Sequence, residues 1–483
     1  MSVSRAQDAV GGALASRVRG IAGDAHVTVD PDRLDAWRVD GVRPGLWAVP
    51  ADAEQVAALL TAAADTGAGV IPRGAGAHQH LGMPPARADL IVETTRLDGI
   101  TDYTPADYVV AVRAGTRFRA LQEALAANGQ WLPLDPPGAA DATIGGLVAA
   151  NRNGPRRLLW GSIRDLVIGI RVALPTGEVI KAGGKVVKNV AGYDLAKLFI
   201  GSFGSCGIIT DVTFKILPLP GDGVTVLVTA PDAAAAHALT TAVMRSYLLP
   251  SALEAANPGA LAMLARAAGV SLPSGGGASG TGRWGVLLLA EGLGESRTRH
   301  IDEMRALTAA AGPGAALEVI SGAPHDALWQ AVAEFPSPAS HPGGVVFRVG
   351  TPITRWLDVA AAAQAASDTP PAAVLAHAGV GLTYVAAAPG VAVSLADALG
   401  RCACGVSQGG AAGQAAPAGA DTASGGAADA LGGYVVVEAA PTALKPSLPV
   451  WGQAPPAVDL MRRLRAQYDP KGIMVPGRLG WLS

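Results

Sequence analysis

From Asp52 onward the apolar positions switch repeatedly between a helical and an extended period. Asp-Ala-Glu-Gln at 52–55 has the form of a helix start, and Val56, Leu59 and Leu60 follow at helical spacing until Gly67 and Gly69 end the run. VIPRG (70–74) reads as a strand entering a Gly-rich turn, and DLIVET (89–94) as the next strand. VVAVRAG (109–115) is a further strand, followed by a helix from Thr116 to Asn128 that Gly129 closes. In VIGIRVALPTGEVIKAGG (167–184) two β-rich runs flank Pro175-Thr176-Gly177, a hairpin signal. These short alternations predict an α+β fold and not the regular βαβ repeat of a doubly wound sheet.

After the strand IITDVTFKI (208–216), Pro and Gly cluster in LPLPGDG (217–223) and mark a boundary. The second half alternates again. Strands are expected at WGVLLLAEG, GVVFRVGTPI, AVLAHAG, GLTYVAA and YVVVEAAP, and helices at SRTRHIDEMRALTAAAG, LDVAAAAQAA and VDLMRRLRAQYDPKG. This is the pattern of a sheet with helices on one face, and no internal repeat is visible in the sequence. Gly405–Gly433 is a Gly/Ala/Ser tract without periodicity, expected to be a mobile surface loop. The domains read as residues 1–219, 220–454 and a C-terminal segment 455–483.

Composition narrows the functional classes. Half of the 483 residues are hydrophobic and only 16% are charged, which excludes a disordered chain. A net charge of −2 leaves no basic field for a nucleic-acid backbone. Three Cys are too few for a disulfide framework, and Cys402-Ala403-Cys404 is too little for zinc or an iron–sulfur cluster, so no metal site is read. Mean hydropathy is high at +0.31. Yet the longest uncharged stretch, Thr369–Ala396, is broken by Pro370-Pro371, His377, Gly379, Gly381 and Pro389-Gly390, the punctuation of strands and turns. The N-terminus carries Arg5, Asp8, Arg17 and Arg19 without a long apolar core, unlike a signal peptide. A cytoplasmic chain without a transmembrane segment is expected.

Three segments carry candidate chemistry. Pro72-Arg73-Gly74-Ala75-Gly76-Ala77 is a loop whose bare backbone can turn N–H groups toward an anion, although it lacks the spacing of a Rossmann or Walker loop. Pro136-Pro137-Gly138-Ala139-Ala140-Asp141-Ala142-Thr143-Ile144-Gly145-Gly146-Leu147-Val148-Ala149-Ala150-Asn151 offers Thr143 as a helix cap. Its small face admits either another backbone or a flat ligand. Gly161-Ser162-Ile163-Arg164-Asp165 could close the same site. The third segment, Lys188–Thr210, runs from a Tyr-Asp pair through a short apolar helix and a Gly-Ser turn into a strand beginning Gly207-Ile208-Ile209.

Together these segments resemble the flavoprotein family of vanillyl-alcohol oxidase and p-cresol methylhydroxylase. In that family a PxGxG loop and a PGxxxxxTIGG segment hold the FAD diphosphate, and a G-I-I strand lies against the cofactor. GKVVKNVAGYDLAKLFIGSFG and the ending DPKGIMVPGR further resemble the FAD-binding subunit of bacterial glycolate oxidase. The resemblance is dense from Trp47 to Pro220, thin through the middle, and returns at Asp469–Arg478. It implies a two-part FAD-binding domain with a second α+β cap domain. Its cofactor-binding residues would be Pro72, Arg73, Gly74, Ala75, Gly76, Ala77, His78, Pro137, Gly138, Asp141, Thr143, Ile144, Gly145, Ala149, Gly161, Arg164, Asp165, Val167, Gly207, Ile208, Ile209 and Arg478. Ala77 stands where relatives often carry Thr, Ser or a flavin-linked His, so non-covalent FAD is expected, with His78 a polar loop residue near phosphate. The Arg73 guanidinium is expected to point to solvent or to a partner chain. Cys206 reads as a buried, inert thiol.

The same resemblance implies oxidation of a small 2-hydroxy acid. That reaction needs a cation for the carboxylate and a base for the hydroxyl proton. Arg348 in VVFRVGTP suits the first role, or pairs instead with a structural acid. His377 in LAHAGVG is the candidate base. Catalytic relatives carry a further downstream His, whereas here Val380-Gly381-Leu382-Thr383-Tyr384 follow. Three functions therefore stay open. The chain is the FAD-binding oxidoreductase subunit of a glycolate oxidase-like complex, with a second FAD-binding subunit and an iron–sulfur subunit as partners. Alternatively it is a non-catalytic FAD-binding scaffold for a sister flavoprotein, or a stand-alone FAD-dependent alcohol oxidase.

Overall fold

The computed structural model describes residues 2–185, 194–272, 282–310, 314–367, 370–404 and 433–482. Lys188–Tyr193 of the third motif and residues 405–432 of the Gly/Ala/Ser tract lie outside the described residues. The chain divides into two units, residues 1–221 with 454–483, and residues 222–453.

The first unit begins with helix α1 (Ser2–Ala22), strand β1 (Val27–Thr28), α2 (Pro31–Asp35), β2 (Leu46–Ala48), α3 (Ala53–Thr66), β3 (Val70–Arg73) and β4 (Leu90–Glu93). Its small sheet has the order β1-β2-β4-β3, with β2, β4 and β3 parallel. Helix α3 forms where the spacing predicts it. The Asp52 side chain caps it by accepting from Gln55 N at 2.7 Å, and Gly67 leaves it at φ +68°, a conformation cheap only for glycine. Its Val56, Leu59 and Leu60 are fully buried beside Leu14 and Val18 of α1, a helix the sequence reading did not anticipate.

The remainder of this unit comprises β5 (Ile100–Thr104), β6 (Val109–Arg113), α4 (Phe118–Ala126), β7 (Gln130–Trp131), α5 (Ile144–Ala149), α6 (Arg157–Trp160), α7 (Ile163–Leu166), β8 (Val167–Ala173), β9 (Val179–Gly183), α8 (Ala196–Phe199), β10 (Ile208–Lys215) and β11 (Leu217–Pro218). The main sheet, β5-β6-β10-β8-β9, is antiparallel throughout. The hairpin at Pro175–Gly177 joins β8 to β9 as expected, with Gly177 at φ +91°. Val110, Val112, Leu121, Leu147, Phe199 and Phe214 form one core between this sheet and α4, α5 and α8.

The second unit contains β12 (Gly223–Ala230), α9 (Ala233–Arg245), β13 (Ala252–Ala256), α10 (Pro258–Ala268), β14 (Trp284–Glu291), α11 (Gly294–Ala310), β15 (Ala316–Ser321), α12 (Ala323–Glu334), β16 (Val345–Gly350), α13 (Trp356–Ala366), β17 (Ala373–His377), β18 (Leu382–Ala387), α14 (Ala392–Ala403) and β19 (Tyr434–Ala439). Its eight-stranded antiparallel sheet runs β15-β12-β14-β13-β17-β18-β16-β19. The first four strands and the last four have the same βαββαβ topology, and they meet at the β13–β17 pair. This internal repeat is one of connectivity, so the sequence shows no trace of it. Helices α9, α11, α13 and α14 pack on one face, whereas Leu261, Leu264, Leu328 and Val332 of α10 and α12 cover Leu227 and Leu287 on the other. The expectation of helices on one face is therefore corrected. Helix α10 is inserted between two strands and α12 leads out of β15, in stretches whose apolar spacing had suggested no element.

After the second unit the chain returns to the first through α15 (Val458–Tyr468) and the segment 469–478. Buried Asp469 holds that segment by accepting from Ile473 N at 3.0 Å and Met474 N at 2.8 Å. Val475 N then donates to Val70 O at 2.9 Å, docking the segment beside the start of β3. Asp469→Ala strands both buried amides, at about 1–3 kcal/mol each. The melting temperature of the full chain is expected to fall by roughly 5–10 °C in a thermal scan. A shift of less than a degree would show that the segment is held by other contacts.

Candidate functional site

Strand β3 ends at Arg73 and delivers the Gly-rich loop. A Cβ on Gly74 would lie 2.0 Å from Thr143 Oγ1, so only glycine lets this loop close on the start of α5. Thr143 itself caps α5 by accepting from Gly146 N at 3.4 Å. Next along the loop, His78 Nε2 donates to Pro137 O at 3.0 Å, and Gly138 turns at φ +70°. A Cβ on Gly204 would touch Pro72. The structure thus brings together residues 72–78, 137–145 and 204, which are far apart in sequence. The N–H groups of Gly74, Ala75, Gly76 and Ala77 enter none of the backbone hydrogen bonds described within the chain. A half-buried loop with unspent donors and no side-chain bulk fits an anionic group such as a diphosphate.

Other sequence candidates find plainer employment. Gly145 donates its N–H to Ala114 O at 2.7 Å, and its missing Cβ admits the backbone at Ala114, so here the small face receives another backbone. Ile144 and Val167 are buried in the core of the main sheet, with Ala149 packed against it, while Asp141 is exposed. Asp165 accepts from Ser162 N at 2.8 Å and Oγ at 2.7 Å in a capping box below Gly161, and Arg164 donates to Lys197 O. Gly207 approaches the Ala173 carbonyl too closely for a side chain, and Ile208 and Ile209 are buried beyond it. Arg478 is buried, donates to Gln79 O at 2.7 Å and to Leu81 O, and pairs with Asp40 at 3.4 Å. It therefore fastens the far side of the Gly-rich loop. Cys206 is buried, and burial pushes its thiol up.

Arg73 corrects an expectation. Its guanidinium does not point to solvent. Cζ lies 4.2 Å from the Trp37 ring centroid, Nε lies 3.9 Å from Glu93 Oε2, and the side chain is 15% exposed. Burial draws its pKa down, and Glu93 partly opposes that.

In the second unit, cross-strand register makes two polar pairs on neighbouring strands. Glu254 of β13 faces His377 of β17, and Tyr384 of β18 faces Arg348 of β16. Glu254 and His377 are 1% and 4% exposed, and His377 Nδ1 forms a short hydrogen bond with Glu254 Oε2. The Tyr384 ring stands edge-on to the imidazole at 5.2 Å. Glu254 was missed in the sequence, although a lone acid in the apolar run Ala-Leu-Glu-Ala-Ala was the available signal. Arg348 Nε lies 2.9 Å from Glu438 Oε1, an acid that is buried in the same manner within YVVVEAAP. Burial works against the Arg348 charge, but Glu438, helped by Tyr434 and Tyr384, outweighs it and holds the guanidinium above its ordinary pKa. With Nδ1–H given to Glu254, a neutral His377 keeps Nε2 as a proton acceptor.

Residues 44–183 match the family model described as FAD binding domain, and residues 452–479 that described as FAD linked oxidases, C-terminal domain. The first unit thus carries an FAD-binding domain of the FAD-linked oxidase type, and FAD is its cofactor. Among curated proteins the chain is similar to glycolate oxidase subunit GlcE of Escherichia coli K12, with 41% identity over 152 residues covering 31% of this chain and 43% of that one. It is also similar to glycolate oxidase subunit GlcD of Bacillus subtilis, at 30% identity over 47% of this chain and 48% of that one. A third relative is D-lactate dehydrogenase of Anaerostipes hadrus, at 32% over 44% of each. The chain spans less than half the length of these curated relatives. Its fold is that of p-cresol methylhydroxylase, solved with substrate bound (TM-score 0.71, 16% identity, 97% of this chain and 96% of that one). A 4-ethylphenol oxidase from Gulosibacter chungangensis shares it, with TM-score 0.68, 15% identity, and 99% of this chain and 97% of that one covered. Among the described residues, no helix is long and apolar enough to cross a membrane.

Proposed function

We propose that this chain is the FAD-binding oxidoreductase subunit of a glycolate oxidase-like complex, oxidising a small 2-hydroxy acid and passing the electrons to a partner. The observation that carries the reading is the buried Glu254–His377 pair. A carboxylate on Nδ1 fixes the imidazole's tautomer and orientation, which leaves Nε2 to take the proton of a substrate hydroxyl. Residues Gly74–Ala77 would hold the FAD diphosphate through backbone N–H groups. The bound flavin would supply the acceptor for the substrate's two electrons. Ala77 offers no atom for a covalent link, in keeping with a non-covalent cofactor. The relatives named as glycolate oxidase subunits support partner subunits in general; a second FAD-binding subunit and an iron–sulfur subunit are the partners proposed, since three Cys cannot ligate a cluster here.

One observation favours the second reading, a flavin-binding scaffold. The guanidinium that would bind a substrate carboxylate is already matched by Glu438. Anaerobic mixing of the purified chain with glycolate and with D-lactate separates the two. Bleaching of the flavin absorbance is expected for the catalytic subunit. An unchanged spectrum with either acid would leave the scaffold as the function.

A further inference from the structure

Arg73 is packed against groups of the protein itself. Its guanidinium stacks on Trp37, which in turn stacks on Trp47 with ring centroids 4.9 Å apart and planes 23° from parallel. Beneath them lies a small separate core of Val39, Ile71, Ala88 and Ile91. A Cβ on Gly76 would sit 2.5 Å from Arg73 Nη2 and 2.8 Å from Cζ. The guanidinium therefore lies against both an indole and the backbone of the Gly-rich loop. Its counter-charge is incomplete. Glu93 Oε2 stops 3.9 Å from Nε, neither atom has a hydrogen-bond partner, and the other Glu93 oxygen is engaged by Thr95 Oγ1 at 2.5 Å.

We infer that Arg73 is the positioning residue of the cofactor loop. Stacked on Trp37, it props the backbone at Gly76 into the conformation in which the N–H groups of Gly74–Ala77 converge on the diphosphate, and it places a buried positive charge behind them. The inference rests on the reading that this loop holds the FAD diphosphate. It assigns Trp37, which no motif singled out, a part in cofactor affinity. It also makes the planar shape of the guanidinium matter more than its charge. Lysine keeps the charge but presents a compact ammonium that cannot lie flat against an indole and a backbone.

The test titrates the full-length apoprotein with FAD and, separately, with ADP, which carries a diphosphate but no flavin. Arg73→Lys and Trp37→Leu are expected to weaken both ligands by about tenfold or more. The loss should be equal at low and high salt, because the guanidinium acts through the backbone and is shielded from solvent. Trp37→Phe keeps a stacking face and is expected to bind within about threefold of the parent. That rescue separates positioning from a general loss of folding. Arg73→Lys binding as the parent does, or a loss that vanishes at high salt, would overturn the inference. A third variant, Ala75→Glu, checks the underlying reading by placing a carboxylate in the loop. If Ala75→Glu binds FAD and ADP normally, the loop is not the diphosphate site and both readings fall. If it is empty while Arg73→Lys is normal, only the role of Arg73 is lost.

Discussion

Gly76→Val is expected to purify without FAD and to bind it on the order of 100-fold more weakly than the parent chain. Two independent costs meet at this position. Gly76 sits at φ +92°, and forcing a β-branched residue there costs about 1–3 kcal/mol. The new Cβ would also lie 2.5 Å from Arg73 Nη2, and the guanidinium that would have to shift is the one stacked on Trp37. The loop must therefore tilt, and its N–H groups lose their common direction. Gly129→Ala is the matched control. It imposes similar strain at φ +66° in a turn with nothing within 4 Å of the added Cβ, so it should lose about 1 kcal/mol of stability and no FAD affinity. The measurement is the ratio of flavin to protein absorbance, followed by titration of the apoprotein. Equal FAD content in Gly76→Val and Gly129→Ala would mean that the loop conformation does not matter to the cofactor.

His377→Ala should slow anaerobic flavin bleaching by a 2-hydroxy acid by about 10²–10⁴-fold while leaving FAD content unchanged. The side chain is 4% exposed and belongs to the second unit, whereas residues 72–78 belong to the first. Glu254→Gln keeps the shape of the acid but replaces the carboxylate with an amide, which no longer fixes the imidazole tautomer that leaves Nε2 as acceptor. A fall of about tenfold or more is expected for it, intermediate between the parent and His377→Ala. Rapid mixing of each holoprotein with excess D-lactate or glycolate gives both rates. A parent-like rate in His377→Ala would reduce the pair to a structural contact in the sheet. A parent-like rate in Glu254→Gln alone would leave His377 as a base that needs no orienting acid.

Much of the first unit is legible along the chain because its signals are local. Asp52 and Gly67 bracket α3, Pro175–Gly177 turns a hairpin, and Thr143 caps α5, each within a few residues of the element it shapes. The FAD-binding domain could likewise be read from Gly-rich segments whose order and spacing survive as sequence. The second unit was harder. Its βαββαβ repeat lives in strand order, and α10 and α12 lie in Ala-rich stretches whose apolar spacing was too weak to separate helix from loop.

Local chemistry in the sequence determined where strands and helices begin, which glycines stand in bends, that the chain is α+β, and that its first part carries an FAD-binding domain. Only the tertiary structure decided which side chains meet. Arg73 could be read as a solvent-facing charge until Trp37, 36 positions earlier in the chain, came to lie beneath it. Glu254 and His377 are 123 residues apart, and they become partners because β13 and β17 are the adjacent strands at the centre of one sheet. Arg348 could be read either as a partner for a substrate carboxylate or as the partner of a structural acid, and β19 brings Glu438 beside it. Such pairings depend on strand register across long separations, and no short-range pattern of residues encodes register.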